Sequence, residues 1–529
     1  MRRGRVRIVR AVAVVSAATL ALAACGGDDD GEGGEAGSGN PIVVGSTDQV
    51  TTIDPAGSYD KPSWNIIYNM FERLLVVPPG ETEPQPQAAE SCDFTDETTF
   101  ECQMKEGLTF SDGDEVTAED AAFSIQRVID IADPSGPSSL FGTVESVSAE
   151  GNTVTFNLTE PDATFPYVLT TGAGAIVSQD VYPADELHPD MEAVGSGPYT
   201  VESFDVSQQI ELGINENYTG EHDISNSGVI IQFYSQPSAL RQAIEGAEVN
   251  IAYRSLSSND ISDLRESGEE QGVTVVDGEG TEINYMVLQA SRPPFDDVAT
   301  RQAVAQVIDR EVIAESVYSG TVDPLYGPIP EGLPGHVPSF QEVYGEPNVE
   351  AAQSLLDEAG VETPVEFTLW YTPSRYGPEA ADMFNEIARQ LNESGLFQVE
   401  TDSSEWGEYS ERFADQSFDA FHLGWFPDFP DASTYLTTFY HSSPDRNFLN
   451  AGYSNDQMDQ LINETLTNTD QDARVQAFEQ ISQLVAEEAP IVQLWQRPQV
   501  AAVQEGVSGV EETLDPSFVF RYWMVSYDG

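Results

Sequence analysis

Lysine is almost absent from this 529-residue chain. Only Lys61 and Lys105 occur, and Lys plus Arg total 22 against 90 Asp plus Glu, a formal net charge of −68. Binding a phosphate backbone takes dense Lys and Arg, so nucleic acid is excluded as a partner. Neither lysine lies in a glycine-rich loop, which also excludes a P-loop. The five histidines (His188, His222, His336, His422, His441) are scattered, and none forms a ligand pair. Neither a protein-held metal nor a cofactor is therefore expected. A Gly-x-Ser-x-Gly elbow, a His-Glu-x-x-His helix and a nucleophilic cysteine are all missing, which argues against a secreted hydrolase. Beyond the first 24 residues no apolar run approaches the roughly 20 residues that a spanning helix needs.

What is present begins with a basic leader. Arg2, Arg3, Arg5, Arg7 and Arg10 precede the apolar run 11–23, which is too short to span as a mature helix, so residues 1–24 read as an export signal. Leu22-Ala-Ala-Cys25 resembles a bacterial lipobox, which implies cleavage before Cys25 and lipidation of its thiol. Residues 25–40, rich in Gly, Asp and Glu, cannot bury a core and read as a flexible acidic tether. The expected arrangement is a body held by a lipid anchor to the outer face of the cell membrane. Cys92 and Cys102 flank a turn between two strands; outside the cytoplasm that spacing suggests a hairpin disulfide, with two unpaired thiols as the alternative.

The body alternates strands and helices, the pattern of parallel βαβ units and an α/β fold. Strands are expected at 42–47, 152–158, 199–204, 229–234 and 249–253, with helices at 65–75, 117–131, 238–245 and 259–267. Near 282–288 the chain crosses into a second lobe, with helices over 300–318, 349–359, 379–392, 406–414, 456–466 and 473–486 and strands at 365–371, 397–401 and 419–425. The segment 490–497 returns to the first lobe. A lobe built from both chain ends with another inserted between them is a two-lobed clamp, and its cleft is the default ligand site.

One stretch carries the chemistry: Asp419-Ala-Phe-His-Leu-Gly-Trp-Phe-Pro-Asp-Phe-Pro-Asp431. An apolar strand is ended by Pro427, and Asp428 follows among Trp425, Phe426 and Phe429. In open α/β sheets ligands bind past the carboxyl ends of strands. A carboxylate losing water there accepts hydrogen bonds only, so it favours a cationic donor such as an ammonium group. The competing reading is a loop acid that caps a helix. Arg375, after the strand 365–371, would present a cationic anchor from the same sheet.

Several separated stretches together resemble the family-5 solute-binding proteins of ABC importers, the oligopeptide- and dipeptide-binding group. They are Ile53-Asp-Pro-Ala56, Phe71-Glu-Arg-Leu74, Gly107-Leu-Thr-Phe-Ser-Asp-Gly113 with Thr117-Ala-Glu-Asp120, Gly195-Ser-Gly-Pro-Tyr199, Arg301-Gln-Ala through Ile308-Asp-Arg310, Leu355-Leu-Asp-Glu-Ala-Gly360 and Gly424-Trp-Phe-Pro-Asp428. The resemblance implies the periplasmic-binding-protein type II fold (cluster C), with an extra subdomain at 60–190 in the N-terminal lobe. That lobe would take 41–59, 191–282 and 490–529, and the second lobe 283–489. It implies that Asp428 takes a peptide's N-terminal ammonium, that Trp425, Trp406 and Trp495 line the cleft, and that a monomer docks on a membrane permease. Packing in a core is the competing reading for each tryptophan. Relatives also bind nickel chelates and oligosaccharides, so a non-peptide solute stays open.

Overall fold

The computed structural model describes residues 40–528, apart from 374, 377, 378, 445 and 450. The leader 1–24, Cys25 and all but the last residue of the 25–40 tether lie outside the described residues. No helix among the described residues is long and apolar enough to cross a membrane.

The body opens on β1 (Ile42–Ser46), with Ile42 and Val44 buried. Asp60 then caps the helix Lys61–Met70 by accepting from Ser63 N at 2.8 Å, and Pro62 sits in the first turn, where its missing N–H costs nothing. Apolar spacing predicts this helix as far as Leu75, but Phe71 is already extended. The cause is the Gly195-Ser-Gly197 stretch. Gly197 N donates to Met70 O at 2.8 Å, and a Cβ on Gly195 would stand 2.1 Å from that same oxygen. Only a residue without a side chain lets this backbone close on the helix end.

Strands β2 (Ala89–Phe94), β3 (Thr99–Met104), β4 (Val144–Glu150) and β5 (Thr153–Leu158) form a four-stranded antiparallel sheet in the order β2-β3-β5-β4. The helix Ala118–Ile131 covers it, started by a capping box between Thr117 and Asp120. Cys92 and Cys102 are paired directly across β2 and β3 and joined as a disulfide. Closing this short loop constrains the unfolded chain by about 2–3 kcal/mol. Replacing both cysteines by serine is therefore expected to lower the unfolding free energy obtained from urea titration by that amount while leaving ligand affinity unchanged.

The remaining long strands are β6 (Tyr199–Asp205), β7 (Gln209–Ile214), β8 (Val229–Phe233), β9 (Ile251–Tyr253), β10 (Val273–Leu288), β11 (Val365–Tyr371), β12 (Phe397–Ser403), β13 (Ala420–Trp425) and β14 (Ile491–Gln504). With β1 they form one sheet in the order β12-β11-β13-β10-β14-β9-β1-β8-β7-β6, and the two-residue strand Asp323–Pro324 pairs with β14 as an eleventh. β1 runs parallel to β8 and β9, and β11 runs parallel to β12 and β13. Between these parallel regions β10 and β14 pair antiparallel from Val273 with Gln504 to Val287 with Ile491. They are longer than the segments 282–288 and 490–497 expected to cross between lobes. The polar run Asp277-Gly-Glu-Gly-Thr281 is a bulged continuation of the strand, with a register shift between Gly278 and Glu282.

Separate cores fill the two lobes. One gathers Leu288, Leu369, Phe384, Leu423 and Val492, the other Ile42, Ile67, Tyr199, Ile251 and Phe520. The helix expected over 300–318 is two, Val298–Val307 and Arg310–Ser316, because Asp309 caps the second by accepting from Val312 N at 3.1 Å. Arg310 is pinned by donating from Nε to Gln493 O on β14 at 2.7 Å. The result is the two-lobed α/β architecture that the resemblance implies, with the four-stranded sheet inside the 60–190 stretch.

Candidate functional site

Four strand ends meet where the bulged strands cross between the lobes. Arg375 and Asp428 follow the carboxyl ends of the parallel strands β11 and β13, while Asp48 and Arg254 follow those of β1 and β9. Ile283 pairs with Trp425, and Glu282 with Arg497, so these ends converge on the irregular part of β10. Parallel strands open such a crevice at their carboxyl ends, where loops leave the sheet.

Asp428 sits just past Pro427. Its carboxylate accepts a hydrogen bond from the Tyr59 hydroxyl at 2.9 Å, and Lys61 Nζ donates to its main-chain oxygen at 3.2 Å. Both donors come from the start of the first helix, on the opposite lobe. Burial raises the Asp428 pKa above the usual 3.8, with Lys61 and Tyr59 opposing the rise. Burial also lowers the Lys61 pKa to about 8, against the pull of Asp428. The half-dry carboxylate is thus bonded by a hydroxyl, while the nearby ammonium is held on the main-chain oxygen of the same residue.

Aromatic rings wall this meeting point. Phe426 lies 5.8 Å from Phe518, edge to face, and the Arg254 guanidinium lies 5.2 Å above the Phe426 ring. Lys61 Nζ is 5.4 Å from the Trp64 ring and 5.9 Å from Phe518. Further out, Phe429 stacks on Tyr167 at 5.6 Å, Gln471 Nε2 donates to the Tyr167 hydroxyl at 2.9 Å, and Ala163 N donates to Leu466 O at 2.7 Å. The lobes are closed on one another.

The predicted residues fall in different places. Trp425 ends β13, half-buried and packed on Phe439 at 5.4 Å, and its Nε1 is buried without a hydrogen-bond partner among the described residues. Trp406 opens the helix Trp406–Ala414, with the exposed Arg375 guanidinium 4.0 Å above its ring. Trp495 departs from the expectation that it lines the cleft. It is 2 % exposed, donates from Nε1 to Met383 Sδ at 3.3 Å and packs edge-on against Tyr318, because the alternation of β14 turns it into the second lobe's core. His422 is fully buried, bonded through Nε2 to Asn284 Oδ1, and burial lowers its pKa to about 3.

Asp431, three residues from Asp428, does separate work. It accepts from Ser433 N at 2.9 Å and Arg474 Nη2 at 2.8 Å, both inside its own lobe. Other motif residues are likewise structural: Asp54 takes both Arg127 terminal nitrogens at 2.7 Å with each side chain 1 % exposed. Tyr59, Lys61, Arg254 and Glu282 escaped sequence reasoning. Lys61 had one usable signal, being one of two lysines in the chain. Arg254 and Glu282 had none, since their strand ends become neighbours only through β10 and β14.

Residues 83–447 match Bacterial extracellular solute-binding proteins, family 5 Middle. The chain is 25 % identical over 487 residues to the Escherichia coli protein named Probable D,D-dipeptide-binding periplasmic protein DdpA, covering 88 % of this chain and 90 % of that one. It is 24 % identical to Heme-binding protein A of Haemophilus influenzae, covering 98 % and 100 %. Among solved structures, the Helicobacter pylori periplasmic binding protein DppA in complex with the peptide STSA superposes with a TM-score of 0.75 at 22 % identity, covering 93 % of this chain and 98 % of that one. With a matched segment that spans most of the described body, the chain belongs to the family 5 bacterial extracellular solute-binding proteins.

Proposed function

We propose that this protein captures peptides between its lobes, holding the N-terminal ammonium at Asp428, and delivers them as a monomer to an ABC permease without chemical change. The observation that carries this reading is the Asp428 carboxylate at the lobe boundary, its pKa raised by burial and one of its oxygens hydrogen-bonded by the Tyr59 hydroxyl of the other lobe. A ligand ammonium would meet the same carboxylate, beside the Tyr59 hydroxyl that already donates to it. Extended backbone at the sheet ends can pair with a peptide main chain, which gives affinity without demanding a particular side chain. Cys25, carrying the lipid, would keep the protein at the outer membrane face, and the acidic tether would give the body its reach.

Mass spectrometry of whatever copurifies with the untagged, lipid-free body tests the proposal. Peptides with free amino termini are the expected cargo. The match to a protein named for heme binding favours a non-peptide solute as the second reading, and recovery of a porphyrin or sugar alone would replace the first with it.

A further inference from the structure

We propose that the extra subdomain is a clasp: the segment 160–168, just after β5, grips the second lobe and holds the lobes together even with no solute between them. This goes beyond the peptide reading and does not depend on which solute is bound. The segment is firmly seated in its own sheet. Phe165 is fully buried and meets Phe156 at 5.1 Å and Phe100 at 5.6 Å, both edge-on. Asp162 shapes the loop before it, accepting from Thr143 Oγ1 at 2.8 Å and from Thr164 N at 2.9 Å.

From this base the segment reaches four stretches of the second lobe that are separate in sequence. Glu160 Oε1 accepts from Arg446 Nη2 at 3.2 Å, and Ala163 N donates to Leu466 O at 2.7 Å. Tyr167 stacks on Phe429 at 5.6 Å and accepts from Gln471 Nε2 at 2.9 Å. The Gln471 amide is itself oriented, because its Oε1 accepts from Arg474 Nη1 at 2.8 Å. All of these are bonds between protein groups, so none of them waits for a ligand.

Phe429 is the decisive side chain. By sequence it belongs to the second lobe, yet it is 8 % exposed and packs in the subdomain's core, the one that holds Phe100, Phe156 and Tyr167. A core completed from the other lobe loses that packing when the lobes part, so opening exposes buried aromatic surface. The Glu160–Arg446 pair is partly exposed, at 54 % and 35 %, and adds a smaller, salt-screened share. Asp428 precedes Phe429 directly, so the loop that carries the carboxylate is also the one the clasp grips.

Double electron–electron resonance reads the open and closed populations between spin labels at Glu145→Cys, on β4, and Glu479→Cys, on the helix Gln471–Glu488, both exposed. The sample is lipid-free protein (Cys25→Ser) stripped of copurifying solute. The natural core is expected to give the shorter distance as its main population. Phe429→Ala raises the open-to-closed ratio by about tenfold or more. Arg446→Glu raises it by about threefold, and adding Glu160→Arg to Arg446→Glu brings it back. Should Phe429→Ala fail to fold, the charge-reversal pair decides alone. A natural protein already open without solute overturns the clasp. So do populations that neither Phe429→Ala nor Arg446→Glu shifts, and so does opening in Arg446→Glu that Glu160→Arg fails to reverse while Phe429→Ala stays closed.

Discussion

Replacing Asp428 by alanine weakens binding of a free-amine peptide by about 30-fold or more, and N-acetylation of the peptide does the same to the natural protein. Losing one side of a desolvated, hydrogen-bonded charge pair costs roughly 2–5 kcal/mol, which sets that scale. The two losses are not additive, because each removes the same contact. Affinities within twofold after both changes would sink the ammonium anchor. A pH titration supplies an independent check. Burial raises the Asp428 pKa, so the ligand-free folded state binds that proton more tightly than the unfolded chain does. Its contribution to stability is full below the usual value of 3.8 and is lost as pH rises through the folded value. At neutral pH the ionised group is therefore a burden on the empty protein, and Asp428→Ala melts at the same temperature or higher. Ammonium affinity runs the other way: it falls as pH drops through the raised pKa and the carboxylate takes up a proton.

The same substitution three residues later has the opposite signature. Asp431→Ala leaves the Arg474 guanidinium, whose side chain is 1 % exposed, without its carboxylate. Thr465 O and Gln471 Oε1 still accept from Arg474 at 2.8 Å, but neither carries charge. Removing one partner of a buried pair costs about 3–5 kcal/mol, so urea unfolding shows a stability loss of that size. Ligand affinity per folded molecule stays near the natural value. Adding Arg474→Met to Asp431→Ala recovers much of the loss, since no unpaired charge then remains buried. Unchanged unfolding in Asp431→Ala, or lost affinity at full stability, would assign Asp431 to the ligand.

The contrast between these neighbours shows where sequence reasoning stops. Gly424-Trp-Phe-Pro-Asp428 announces a strand end and an acid among aromatics, because Pro427 ends the pairing locally. It does not say which acid is taken up by an arginine. Arg474 is remote in sequence and reaches Asp431 only by the packing of the helix Gln471–Glu488. Trp495 teaches the same lesson: its strand was legible, but the side it faces depends on helices that period-two alternation cannot locate. The split of 300–318 into two helices, by contrast, was written in the cap at Asp309 and overridden by apolar spacing that ran through it.

By itself the sequence determined the α/β class, the two-lobed architecture and most helices and strands, and it singled out Asp428 as a strand-end acid among aromatics, all signals carried by residues close together in the chain. Tertiary structure alone decided that Tyr59, Lys61 and Arg254 face Asp428 and Phe426, that Trp495 belongs to a core, and that β10 and β14 run on through a polar bulge. The reason is physical: a site at the boundary of two lobes is assembled from strand ends hundreds of residues apart, and their meeting is fixed by sheet order, on which local composition is silent.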